Sequence, residues 1–167
     1  MRRTWLPALI SILLVATMAV PALAGKADKA RPFKATTEIV ERANPVCPAE
    51  YNGGEYSEHV GTATHLGRFD LFETLCINTL TLPPFPFVVN GKLVAANGDE
   101  LYFDAEGAFD PVTNTIESTG WLFDGGTGRF ESATGQADET LIRNSDNLII
   151  GLTVKGTITY DASDRSN

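Results

Sequence analysis

The chain is 167 residues long and carries 13 Lys+Arg against 21 Asp+Glu, a formal net charge of −8 at pH 7. So acidic a surface repels phosphate backbones, whose binding rests on neutralisation by Lys and Arg, and this excludes nucleic acid and anionic membranes as partners. The length suits one domain with enough chain to bury a core.

Residues 1–24 read as a signal peptide. Arg2 and Arg3 supply the positive start, residues 9–15 a short apolar run, and Ala22-Leu23-Ala24 the small-residue close that a signal peptidase reads. Pro7 and Pro21 make the same stretch marginal as a retained membrane span, so no stable anchor is expected after cleavage. Removal of this segment takes away Arg2 and Arg3, leaves 143 residues from Gly25 onward and deepens the formal charge to −10. The expected destination is the periplasm or the extracellular medium. Cys47 and Cys76, the two cysteines of the chain, would form a disulfide there. Its loop of about 30 residues corresponds to roughly 3–4 kcal/mol of chain-entropy stabilisation.

Residues 25–32 read as a flexible lead-in, 33–160 as the folded domain and 161–167 as a polar C-terminal tail. Within the domain, short runs alternate apolar and polar residues with period two, and helical periodicity is almost absent. The first run spans 33–41, with Phe33, Ala35, Thr37 and Ile39 in one register. A turn-rich segment around Asn44 to Gly54 precedes the second run, 57–64, which turns at Leu66-Gly67 into the third, 68–78. Pro83, Pro84 and Pro86 mark a break before the fourth run, 87–96.

Asn97-Gly98 predicts a two-residue type I′ hairpin into the fifth run, 100–108, because both central positions of that turn need positive φ. This run places Leu101, Phe103 and Ala105 on one face and Tyr102, Asp104 and Glu106 on the other. The sixth run spans 115–123, the seventh 134–143 and the eighth 148–160.

Eight strands joined mainly by short turns predict an all-β fold, an eight-stranded antiparallel closed β-barrel of calycin-like form, which removes both exposed edges. A two-sheet sandwich is the alternative. A lipid-embedded barrel is excluded, since Lys92, Asp104, Glu106, Asp138 and Lys155 sit well inside their runs on the outer register, where lipid contact would be costly.

The stretch from Asp124 to Gln136, DGGTGRFESATGQ, lacks the Gly-Lys pair of a phosphate loop and the third glycine of a dinucleotide fingerprint. It reads as a structural corner. Gly125, Gly126 and Gly128 permit positive φ, Thr127 bonds nearby backbone, Phe130 plugs one barrel end and Gly135 lets the chain re-enter the wall.

The run Gly125-Gly126-Thr127-Gly128-Arg129-Phe130 with Ala133-Thr134-Gly135 resembles the GGTG-x-F-x-x-A-x-G stretch of the allene oxide cyclase barrel superfamily, which includes plant dirigent proteins. The segments 61–69 and 95–101 and the Arg31-Pro32-Phe33-Lys34 start resemble small exported bacterial proteins of that type, a group without an assigned activity. The resemblance implies an eight-stranded antiparallel barrel. No residue outside the glycine stretch matches the cyclase's catalytic groups or the dirigent pocket acids, and fold alone licenses no activity.

Three carboxylates fall in apolar registers: Glu41, Glu73 and Glu139. An acid held in an apolar lumen has a raised proton affinity or an arginine partner, and serves as a proton-transfer group or a polar ligand anchor. The residues expected to line a ligand-binding lumen are Glu73, Glu139, Tyr102 and Phe103, with Glu73 foremost. His59 and His65 lack a third ligand at matching spacing, so no metal site and no cofactor is expected; each reads as hydrogen-bonded or exposed. No catalytic residue is assigned.

These observations lead to an exported, soluble, non-catalytic barrel that binds a small apolar molecule or serves as a structural envelope protein. The alternatives are an isomerase or cyclase acting on a lipid-derived or phenolic substrate, as the resemblance permits, and a homo-oligomer that associates through an outer face.

Overall fold

The structure is a computed structural model that describes residues 29–161. The expected signal peptide, residues 25–28 of the lead-in and residues 162–167 of the tail lie outside the described residues.

Nine strands follow in chain order: β1 (Arg31–Ala43), β2 (Gly53–Ala63), β3 (Gly67–Ile77), β4 (Phe85–Ala95), β5 (Glu100–Asp110), β6 (Thr115–Ser118), β7 (Trp121–Gly126), β8 (Thr134–Arg143) and β9 (Ile149–Thr159). Sequential neighbours pair antiparallel except β6 and β7, and β1 pairs with β9 from Arg31↔Ile158 to Glu38↔Gly151, which closes the cylinder. β6 and β7 share one place in the wall. β5 pairs with β6 through residues 107–110 and with β7 through residues 101–104. The result is an eight-stranded closed barrel.

The expected sixth run is therefore interrupted at Thr119-Gly120. Gly120 takes φ 70°, and Thr119 Oγ1 accepts the Glu106 N–H at 3.2 Å. A side-chain hydroxyl thus replaces a ladder acceptor, and the strand breaks without stranding that donor. β8 runs on past this break with β9 as its partner.

The turn at Asn97-Gly98 differs from the expected type I′ form. Gly98 alone takes positive φ, at 87°. Its N–H bonds the Ala95 carbonyl at 2.8 Å, and the Ala95 N–H bonds the Asp99 carbonyl at 2.9 Å. This is a three-residue connection ending in a left-handed glycine. Asn97 prefers to turn its side chain onto Asp99, which removes the need for a second left-handed residue.

Period-two alternation sorts the side chains as expected. Leu101, Phe103 and Ala105 are buried while Tyr102, Asp104 and Glu106 are exposed. Trp121 stacks on Phe103 with centroids 4.0 Å apart, and Phe33 meets Phe123 edge-on at 4.8 Å. Each fully buried aromatic contributes about 1.5–3 kcal/mol by leaving water. The wall makes room for these rings with inward glycines: a Cβ on Gly91 would lie 2.6 Å from the Phe103 ring.

One barrel end is filled. After β7 the glycine stretch turns through Gly125 (φ 83°) and Gly128 (φ 54°) into a single 3-10 turn, Gly128–Phe130. Thr127 Oγ1 accepts the Glu100 N–H at 2.9 Å, which anchors the corner to β5. Phe130 is completely buried there, 5.1 Å from the Tyr160 ring, with Leu66 also buried. The stretch is a structural corner.

Cys47 and Cys76 form a disulfide with Cα atoms 5.7 Å apart. Cys76 has the outward parity of β3, so the bond ties the β1–β2 loop over the outside of the wall. Such a bond belongs to an oxidising environment.

Candidate functional site

The half of the barrel opposite the Phe130 plug is not filled by aromatic rings. It holds a cavity of about 360 Å³ whose walls include Ile39, Leu75, Ile77, Val89, Leu141 and Leu152, with Ser57, His59, Glu73 and Glu139 as its inner polar groups and Arg42 and Glu55 at its rim. Its size lies at the lower end of the range for small-molecule sites. A larger depression of about 830 Å³ lies on the outside across β1 to β4, lined mainly by outward residues such as Thr36, Glu38, Thr62 and Arg68. It gathers no buried polar cluster beyond its edge at Thr37, so the lumen is the site with chemical content.

Among the described residues, the buried polar side chains are Thr37, Ser57 and His59. They come together because β1 and β2 pair Ile39 with His59 and because β2 and β3 pair Ser57 with Glu73. Thr37 Oγ1 accepts the Leu152 N–H at 3.1 Å and lies 3.0 Å from His59 Nδ1. His59 Nε2 lies 3.2 Å from Glu73 Oε1 and 3.0 Å from Ser57 Oγ, and Ser57 Oγ donates to Glu73 Oε1 at 3.0 Å. Nδ1 thus faces the Thr37 hydroxyl, and Nε2 faces both the Ser57 hydroxyl and the Glu73 carboxylate, so both ring nitrogens have partners.

This is not a serine-nucleophile relay. In such a relay the hydroxyl and the acid sit on opposite ring nitrogens, whereas Ser57 and Glu73 both sit on Nε2.

Glu139 enters from β8. Trp121 Nε1 donates to its Oε2 at 2.9 Å. Burial pushes its carboxyl above the usual range; the Trp121 hydrogen bond opposes this, the Glu73 charge adds to it, and His59 opposes it weakly. The protein's hydrogen bonds to the two acids run through Oε1 of Glu73 and Oε2 of Glu139. Among the described residues no hydrogen bond falls on the second oxygen of either carboxylate.

A rim and a neighbouring side space border the cavity. At the open rim, Arg42 pairs with Glu55 and donates to the Ile149 carbonyl at 2.7 Å, tying β1, β2 and β9 together. On the side, where β6 and β7 part, a smaller space of about 240 Å³ is lined by Ile116, Ser118, Gly120 and Asp138 together with Glu139 and Leu141. Glu139 and Leu141 line both spaces.

Of the residues expected in the lumen, Glu73 and Glu139 are brought together. Tyr102 is not with them. It has the outward parity of β5, is exposed, and donates its hydroxyl proton to Glu100 Oε2 at 2.7 Å. Phe103 points inward but is consumed by its stack on Trp121, so it fills core rather than lining the cavity. Glu41 lies beyond a bulge between Ile39 and Glu41 and is exposed. His59, expected from sequence only to be hydrogen-bonded or exposed, is a central member; Thr37 was expected in the inward register of β1 but not as part of a site, and Ser57 was not expected there. The available signal was parity: Ser57 and His59 share the inward register of β2. His65 sits at the other end, with Nε2 3.0 Å from the Pro32 carbonyl oxygen. Among the described residues no group of three or more His, Cys, Asp or Glu is arranged to hold a metal ion.

Compared with protein-family models, with curated proteins and with solved structures, the chain matches none of them.

Proposed function

We propose that this protein is an exported, water-soluble barrel that binds one small, mainly apolar molecule in its lumen. The carrying observation is the cavity of about 360 Å³, apolar on its walls and polar at one cluster of Ser57, His59, Glu73 and Glu139. A packed interior would have argued for a purely structural envelope role. Export is supported by the signal-like residues 1–24 and by the disulfide. Solubility is supported by charges such as Asp104, Glu106, Asp138 and Lys155 on exposed mid-strand positions.

A fluorescent apolar probe, N-phenylnaphthylamine, is the first test. It should bind the mature protein with a stoichiometry near one and lose that binding in Leu141→Trp, which fills the cavity. Native mass spectrometry of protein purified from its own host should reveal a co-purifying small molecule. Probe binding that Leu141→Trp leaves intact would remove the lumen from consideration.

A second reading is an isomerase or cyclase of the allene oxide cyclase type. It is favoured by one observation beyond the sequence resemblance, the raised proton affinity of Glu139 beside Glu73 in a cavity. Turnover of a lipid-derived or phenolic substrate that disappears in Glu139→Gln would establish it.

A further inference from the structure

We propose that the lumen selects a cation, a primary ammonium group carried on an apolar body. The proposal rests on the lumen-binding reading above and names the ligand class of that same site.

The hydrogen-bond inventory leads there. The Trp, Ser and His donors at the polar cluster are engaged with protein acceptors: Trp121 Nε1 with Glu139, Ser57 Oγ with Glu73, and the histidine ring between Thr37 and Glu73. Among the described residues no hydrogen bond falls on Oε2 of Glu73 or Oε1 of Glu139, and both residues line the cavity, so acceptor capacity remains on the two acids. An ammonium offers three donors and no acceptor, the complement of such a pair. A hydroxyl offers one donor. A carboxylate ligand offers none and would face two like-charged groups.

The charges of the site point the same way. The cation that lines the cavity, Arg42, is engaged at the rim with Glu55 and the Ile149 carbonyl, and the lining acids Glu55, Glu73 and Glu139 outnumber it. His59 touches Glu73 and has no exposed side-chain surface. An ammonium between Glu73 and Glu139 would offset the Glu73 charge that disfavours an ionised Glu139. The apolar tail would then lie along Leu75, Val89, Leu141 and Leu152, pointing toward the rim.

The experiment is isothermal titration of the disulfide-bonded mature protein with octylamine, octanol and octanoate at pH 7. These share a chain and differ in head group. Octylamine should bind at one site at least tenfold more tightly than octanol, with octanoate weakest. In the Glu73→Gln/Glu139→Gln double variant, octylamine should fall to the octanol level while octanol binding stays unchanged. Leu141→Trp, which keeps both acids, should abolish all binding and serves if the double variant does not fold. Equal binding of the three ligands, or preference for octanoate, overturns the cation inference and leaves the lumen as a general apolar site. Octylamine binding that survives both variants would mean adsorption to the acidic exterior, and this also overturns it. Failure of all three ligands to bind removes the lumen-binding reading along with it.

Discussion

Trp121 and Glu139 meet across the β7–β8 pair, with the indole N–H 2.9 Å from a carboxylate oxygen. Trp121 is itself completely buried and stacked on Phe103. The bond therefore joins the aromatic half of the barrel to the polar cavity and fixes where the Glu139 carboxyl points. Replacing Trp121 with Phe keeps a ring for the stack and deletes the donor. Leaving one carboxylate oxygen without its partner should cost about 1–3 kcal/mol, read as a lower urea midpoint. It should also push the Glu139 carboxyl higher still, because the hydrogen bond is what opposes burial there.

Glu139 makes stability pH-dependent in a definite direction. Its carboxyl holds a proton more tightly in the folded chain than the ordinary value of 4.5 allows. The stabilisation that follows is fully present below that ordinary value and is lost as pH rises through the raised native value. Glu139→Gln cannot ionise, so its melting temperature should gain on the unmodified protein as pH rises through this window. Differential scanning calorimetry from pH 4 to pH 8 checks it. A constant gap across that range would contradict the assignment.

His59 occupies a different position in the network. It is completely buried and touches Thr37, Ser57 and Glu73. His59→Ala should leave those three groups under-satisfied around a new hole and cost about 3 kcal/mol or more. Equilibrium urea unfolding gives the number, and a change under about 1 kcal/mol would show that the ring does not organise the cluster.

Gly91 should resist even a methyl group. A Cβ there would fall 2.6 Å from the Phe103 ring and 2.8 Å from the Phe72 carbonyl oxygen. Gly91→Ala should destabilise by about 1–3 kcal/mol through overpacking. Near-ultraviolet circular dichroism should report the displaced Phe103–Trp121 stack at the same time.

The disulfide closes a sequence separation of 29 residues. Cys47→Ser with Cys76→Ser should lower the unfolding free energy by roughly 3–4 kcal/mol on the chain-entropy model. Reduction with dithiothreitol should reproduce the effect in the unmodified protein, measured by urea unfolding under each condition.

Alternation made much of this fold legible. Phe33, Ala35 and Thr37, or Leu101, Phe103 and Ala105, reveal which side of a strand meets the core because side chains on a strand change face at every residue. The same rule places Tyr102 outside, against the expectation that it lines the lumen. Turn geometry was less legible. Asn97-Gly98 is compatible with more than one connection, and the hydrogen bonds between Asn97 and Asp99 settle a choice that two letters cannot. The break at Thr119-Gly120 was hidden for a similar reason: a threonine hydroxyl substitutes for a ladder acceptor only once Glu106 lies opposite it.

From residues alone came the period-two pattern, the paired cysteines, the corner at the glycine stretch and the inward register of Glu73 and Glu139. Each of these depends on neighbours near in the chain or on compartment chemistry. The meeting of Thr37, Ser57, His59, Glu73 and Glu139 around one space depended on the closed wall. Those residues come from β1, β2, β3 and β8, and only closure through β1 and β9 sets how far one strand is staggered against another and hence which side chains share a level of the lumen.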